Sequence, residues 1–147
     1  MIFEYICAMN EVTYSAFETI HKVRPDDIDM FQHVHNSKYF DYVLAARYEQ
    51  MASFYEYPME DFLNEGFGWV VKTVTIHYKR ALVMGEEFIV KTGITTINNK
   101  GCRVHFTITK KASGKISADG WFDYVLIDKT NGKSAFVTED MIKRYSI

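Results

Sequence analysis

Apolar and polar residues alternate in five stretches of this chain, and one further stretch is spaced as a helix. Period two lines up side chains on one face of a strand, and period 3.6 does so on a helix. Ala16 to Arg24 is the first strand candidate: Phe17, Thr19, His21 and Val23 alternate with Glu18, Ile20 and Lys22. Pro25 removes a ladder donor and ends it. Trp69 to Arg80 puts Val74, Ile76 and Tyr78 on one face and Thr73, Thr75 and His77 on the other. Glu86 to Ile97 follows a turn at Met84-Gly85. Cys102 to Lys111 directs Val104, Phe106 and Ile108 inward. Ile116 to Asp128 is the last strand, ended by the Thr130-Asn131-Gly132-Lys133 turn.

The helix runs from about Ser37 to Tyr55, with Asn36 as its cap, since an Asn side chain satisfies a first-turn amide. Tyr39, Val43 and Ala46 share one face, and Phe40, Leu44, Met51 and Tyr55 fill another. Polar positions such as Asp41, Arg47, Glu49 and Gln50 are few, so a largely buried helix is expected. A short closing helix, about Thr138 to Tyr145, takes Thr138 as its cap. Asn98-Asn99-Lys100-Gly101 reads as a hairpin turn, because Asn and Gly tolerate positive φ. Ser113-Gly114-Lys115 is another turn. Hairpins imply an antiparallel sheet, so the class is α+β: one sheet curled around one long helix. Such a sheet leaves an edge that a second copy can cover.

The 147 residues fit one domain, with 1–15 an N-terminal extension and 16–147 the folded unit. Aromatic residues reach 16%, enough for a ring-rich core or groove. A net charge of −2 argues against a nucleic-acid binder. Cys7 and Cys102 form no metal or redox motif, which suits a reducing compartment. The start has no basic leader, Glu4 interrupts its apolar residues, and no run approaches a membrane span. A soluble, cytoplasmic protein is expected.

The densest chemistry lies between Arg24 and Val43, where Asp26, Asp27, Asp29, His33 and His35 precede the helix. Asp27, Asp29, His33 and His35 could offer four metal ligands. No second cluster follows downstream, however, so no metal is expected. A carboxylate just before a helix N-terminus is favoured as an anion by the end amides and the dipole. Those amides also suit an oxyanion formed when a carbonyl is attacked.

Asp27-Ile28-Asp29-Met30-Phe31-Gln32-His33-Val34-His35-Asn36-Ser37-Lys38-Tyr39 resembles the loop of the 4-hydroxybenzoyl-CoA thioesterase family, approximately D-x-D-x-x-G-H-V-x-N-x-x-Y. Ala46-Arg47-Tyr48-Glu49 is similar to that family's ARxE, and Tyr78 to Glu86 to its Y-x-R-P-x-x-x-G-D stretch, with Ala81 for proline and Glu86 for aspartate. The Gln-His-Val sequence also resembles plant acyl-carrier-protein thioesterases, which carry an asparagine where this chain has Phe31. Gln32 stands for the usual glycine and His35 for an asparagine. Leu44 stands where some members carry a helix glutamate.

The resemblance implies the hot-dog fold and hydrolysis of an acyl-CoA or acyl-carrier-protein thioester, with CoA or phosphopantetheine entering as substrate and no cofactor. It places the catalytic carboxylate on Asp29, as general base on water or as nucleophile through a mixed anhydride. His33 would polarise the carbonyl or position water. Gln32, Asn36 and Tyr39 of the same motif are the substrate-binding candidates, and Asp27 is a loop-shaping residue whose carboxylate accepts backbone amides. Lys79, Arg80, Lys100 and Arg103 are the cations available to the phosphates, and the resemblance favours Lys100 and Arg103. A homodimer or homotetramer is implied, with the site near the subunit interface. Two rivals stay open: a hot-dog hydratase or dehydratase, and a non-catalytic acyl-CoA binding module.

Overall fold

The computed structural model describes residues 14–145. Cys7 and nearly all of the expected N-terminal extension lie outside the described residues. The order is β1 (Ala16–Lys22), a 3-10 turn (Pro25–Asp27), a second 3-10 turn (Asn36–Lys38), α1 (Tyr39–Ser53), α2 (Met59–Asn64), β2 (Phe67–Tyr78), β3 (Glu87–Ile97), β4 (Gly101–Lys110), β5 (Ile116–Asp128) and α3 (Glu139–Arg144). The strands form one antiparallel sheet in the order β1-β3-β4-β5-β2. This is the hot-dog arrangement, α+β, with the sheet packed on α1.

Alternation decides which face meets the helix. Phe88, Val90 and Ile94 of β3, Val104, Phe106 and Ile108 of β4, and Ala118, Phe122 and Leu126 of β5 are all buried. Burying a large apolar side chain is worth about 1.5–3 kcal/mol, so this layer is the main stabilising contact. β2 carries a bulge between Val71 and Thr73. The extra residue reverses the alternation. Trp69 and Val71 before it and Val74, Ile76 and Tyr78 after it therefore all face the helix side, opposite inward residues of β5.

Three expectations change. The helix cap is His35, not Asn36: the His35 Nδ1 accepts the Ser37 amide at 3.2 Å and lies 2.8 Å from the Ser37 hydroxyl. The extra turn is 3-10, and α-helical bonding begins only at Tyr39. The helix is also not buried all round. Tyr39, Tyr42, Val43, Ala46, Arg47, Gln50 and Met51 form one buried stripe, whereas Phe40 and Leu44 are half-buried and Tyr48 is exposed. A single sheet covers only one side. Finally, the hairpin at Asn98 to Gly101 needs no positive φ. Asn98 closes it by accepting the Lys100 and Gly101 amides through Oδ1. Gly101 is required for proximity instead, because a Cβ there would lie 2.0 Å from the Tyr124 carbonyl oxygen.

The buried stripe of α1 contains two of the polar residues that interrupt the apolar pattern. Gln50 Nε2 donates to Thr19 Oγ1 (3.0 Å) and to the Val90 carbonyl (3.1 Å), and its Oε1 accepts from Thr92 (2.5 Å). Arg47 donates to Thr92 Oγ1 at 3.2 Å and to Tyr55 OH at 3.4 Å, with its guanidinium 4.9 Å from the Tyr55 ring centroid. Together they join the helix to β1 and β3 and set its rotation on the sheet. Buried donors left unmatched are costly, so these bonds favour this rotation, in which Arg47 Nε alone of the two side chains' donor atoms stays buried without a partner among the described residues. That rotation aims the N-terminus of α1, and the loop before it, at the end of β2.

α2 was not expected. Pro58 before Met59, the acidic first turn at Glu60 and Asp61, and Gly66 beyond its end are the signals that mark it. It buries Phe62, which stacks on Tyr57 with ring centroids 4.1 Å apart.

Candidate active site

The loop between β1 and α1 is a tight double reversal. Ile28 bridges Val34, and His33 bridges Val83. The Val34 amide donates to the Leu82 carbonyl at 2.9 Å and the His35 amide to the Asp27 carbonyl at 2.9 Å. Gln32 sits at the reversal with φ of 63°, a left-handed conformation that costs a residue with a Cβ. That is the physical reason a glycine suits this position.

The loop's two aspartates have opposite surroundings. Asp27 is buried. Its Oδ2 accepts from Tyr42 OH at 2.7 Å and from Arg24 Nε at 2.8 Å. Burial pushes its pKa up, but the Tyr42 and Arg24 hydrogen bonds and the Arg24 charge outweigh that, and the net direction is down. Asp27 does shape the loop, through these two side chains and not through the expected backbone amides.

Asp29 is half-buried and borders a hollow of about 340 Å3. Its Oδ1 accepts the Phe31 amide at 2.9 Å and the His33 amide at 3.2 Å. This local turn fixes the carboxylate's direction. Its Oδ2 makes no hydrogen bond among the described residues.

The same hollow is lined by His33, Asn36, Tyr39, Tyr78, Lys79 and Arg80. Tyr39 is anchored: its hydroxyl accepts the Leu82 amide at 3.0 Å, and burial pushes its pKa up. The Tyr78 ring meets Tyr39 edge-on at 5.2 Å, and its hydroxyl donates to the Asn36 carbonyl at 2.9 Å. The Asn36 amide opens the 3-10 turn, so it has no acceptor within its own turn. No other described residue accepts from it. His33 is exposed, and among the described residues its ring has no hydrogen-bond partner. Gln32, at the turn, is exposed and is not among the residues that line the hollow.

Lys100 and Arg103 are elsewhere. They line a separate hollow over β4 and β5, where Arg103 holds Asp123 through two bonds of 2.8 and 3.1 Å. The cations brought to Asp29 within one chain are Lys79 and Arg80. Tyr78 was not anticipated here. Its signal was the Tyr78-Lys79-Arg80 run closing a strand. No group of three or more His, Cys, Asp or Glu is placed to hold a metal among the described residues. No described helix is long and apolar enough to cross a membrane.

The antiparallel sheet packed on one long helix is the hot-dog fold of a thioesterase. The chain belongs to the thioesterase-like superfamily, whose family model matches residues 23–144. It is similar to the long-chain acyl-CoA thioesterase FadM of Escherichia coli strain K12, with 26% identity over 113 residues, 77% of this chain and 84% of that protein. Its fold is shared with a DHNA-CoA thioesterase from Staphylococcus aureus, at TM-score 0.82 and 17% identity, over 89% of each chain. It is also shared with SAV2348 from Staphylococcus aureus, solved in complex with CoA, at TM-score 0.79 and 17% identity, over 90% of this chain and 82% of that one.

Proposed function

We propose that this protein hydrolyses an acyl-CoA thioester to the free acid and thiol, with Asp29 as the group that starts the reaction. The observation that carries this reading is the division of labour at the Asp29 carboxylate. One oxygen is held by the Phe31 and His33 amides, and the other is left to act on a water or a carbonyl carbon in the hollow. As general base it takes a proton from water as water attacks, and the C–S bond then breaks with that proton passing to the departing thiolate; as nucleophile it displaces the thiolate to form a mixed anhydride, which water opens to the free acid while the thiolate takes up a proton. Either route places negative charge on the thioester oxygen. The Asn36 amide, at the positive end of α1, is the donor for it. His33 borders the same hollow and polarises the carbonyl or orients water. Lys79 and Arg80 meet the phosphate-bearing arm of the substrate.

The protein works as a homodimer in this reading. β2 is paired on one side only, by β5, and its helix-side residues Val74 and Tyr78 are 44% and 52% exposed. Phe40 and Leu44 lie half-buried on the adjoining helix face. Met30 and Phe31, at the tip of the catalytic loop, are 89% and 72% exposed. An unpaired edge flanked by apolar surface favours a second copy. Sedimentation of the wild type against Val74→Arg checks this, and a wild-type monomer at assay concentration would refute it.

The activity is tested by thiol release over a panel of acyl-CoA substrates, with wild type, Asp29→Asn and His33→Ala. Loss of activity in Asp29→Asn with an unchanged fold is expected. Full activity in that variant would overturn the assignment of Asp29.

A further inference from the structure

The outer face of the sheet holds a hollow that hydrolysis at Asp29 does not account for. Register places Gly93, His105 and Trp121 in one row across β3, β4 and β5, and Lys91, Thr107, Asp119 and His77 in the next row, which extends onto β2. These side chains line a space of about 750 Å3, larger than the one beside Asp29 and within the ordinary range for small-ligand pockets. Gly93 contributes no side chain, which lets Ala16 of β1 pack close against it at the border of the hollow.

Trp121 supplies an aromatic wall in that space, with the His105 and His77 ring centroids 5.6 and 5.7 Å from its own. His105 Nδ1 lies 2.8 Å from Thr95 Oγ1, and His77 Nδ1 lies 3.2 Å from Asp119 Oδ1. The Nε2 of each ring therefore has no partner among the described residues. Asp119 also takes Lys79 at 2.8 Å. Lys91 makes no ion pair among the described residues and is exposed, with Glu18 opposite it on β1, so its ammonium is available to an anion in the hollow.

Lys79 lines both spaces, the one beside Asp29 and the one on the outer face. They are therefore neighbours that share the Lys79 side chain as a wall just beyond the end of β2. We propose that the outer hollow holds the nucleotide end of the CoA thioester, with the base against Trp121 and the phosphates between Lys79 and Lys91. This rests on the thioesterase reading of the Asp29 site. Thr75, which pairs with Trp121, lies four residues from Lys79, or about 13 Å along an extended strand. A linear pantetheine and pyrophosphate chain bridges such a span. Aromatic side chains stack nucleobases with little demand on base identity, and a lysine meets phosphate as a point charge.

The test compares an acyl-CoA with the acyl-pantetheine of the same acyl group, which lacks the nucleotide. Trp121→Ala and Lys91→Glu are each expected to raise KM for the acyl-CoA about tenfold, with kcat unchanged, a loss of about 1.4 kcal/mol of binding. Neither should alter hydrolysis of the acyl-pantetheine. Free adenosine 3′,5′-bisphosphate should compete with the acyl-CoA and leave the acyl-pantetheine untouched. Unchanged KM in both variants overturns the proposal and leaves the thioesterase reading standing. Inhibition of acyl-pantetheine hydrolysis by the free nucleotide also overturns it, since the hollow would then serve a separate nucleotide. A change of sedimentation in Lys91→Glu overturns it as well, because the face would then be a subunit contact. If the wild type cleaves neither thioester, the thioesterase reading fails on its own. Calorimetric titration with adenosine 3′,5′-bisphosphate then decides: tenfold weaker binding in Lys91→Glu supports the site, and no binding to the wild type refutes it.

Discussion

Asp27 and Asp29 stand two residues apart in one loop, yet their surroundings are opposite. Asp27 turns inward, where Tyr42 and Arg24 occupy its Oδ2 and the helix closes over it. Asp29 turns toward an open hollow, where loop amides occupy one oxygen and leave the other. The difference comes from what surrounds each carboxylate, not from its chemistry. A carboxylate with buried partners is a fastener, and one held by its own loop with a vacant oxygen is available for reaction. The inner aspartate holds the loop in place, and the loop aims the outer one.

Several substitutions break or sharpen this contrast. Asp29→Asn is expected to have the largest effect, lowering kcat by about 10²–10⁴-fold, the usual scale for loss of an acid/base group. Its thermal midpoint should barely move, because an amide oxygen can still accept the Phe31 and His33 amides. Asp27→Ala should do the reverse in kind. It leaves the buried Tyr42 hydroxyl without its acceptor and is expected to cost about 2–4 kcal/mol in denaturant unfolding. Arg24 contributes little to that figure, since its guanidinium is largely in water and screened.

The acid limb of stability should carry the signature of Asp27. Its folded pKa lies below the unfolded value of about 3.9, so its contribution is complete above that pH and is lost as pH falls through the folded pKa. The thermal midpoint of the wild type should therefore fall toward that of Asp27→Asn below about pH 4. A constant gap between them across that window would refute the linkage. His35→Ala removes the cap of the 3-10 turn and should cost about 1 kcal/mol. Gln32→Gly should change least. It relieves a left-handed residue but frees the unfolded chain, for a net change of under about 1 kcal/mol, read as a small shift in thermal midpoint. A large loss in Gln32→Gly would mean that the Gln32 side chain itself supports the loop.

The strands were legible because one face of each meets the helix, and their alternation follows from that. The loop motif was legible because it is local: Asp29, Gln32 and His33 are joined by bonds spanning at most four residues. The cap was misjudged by one position. His35 and Asn36 can both cap, and the choice depends on how the preceding loop is held against Leu82. Arg47 and Gln50 stood out in the helix pattern only as polar interruptions. Their burial depends on Thr19, Thr92 and Tyr55, between 8 and 45 residues away. The same limit hid Tyr78 and the relation of Lys79 to Asp29. The sequence by itself determined the five strands, the long helix and the carboxylate set before its N-terminus, since period and local turn chemistry need only near neighbours. Only the tertiary structure decided which aspartate is buried, which cations reach the hollow, and which face of the helix stays bare. Those outcomes depend on long-range pairing of β2 and β5 and on the rotation that the Arg47 and Gln50 bonds impose.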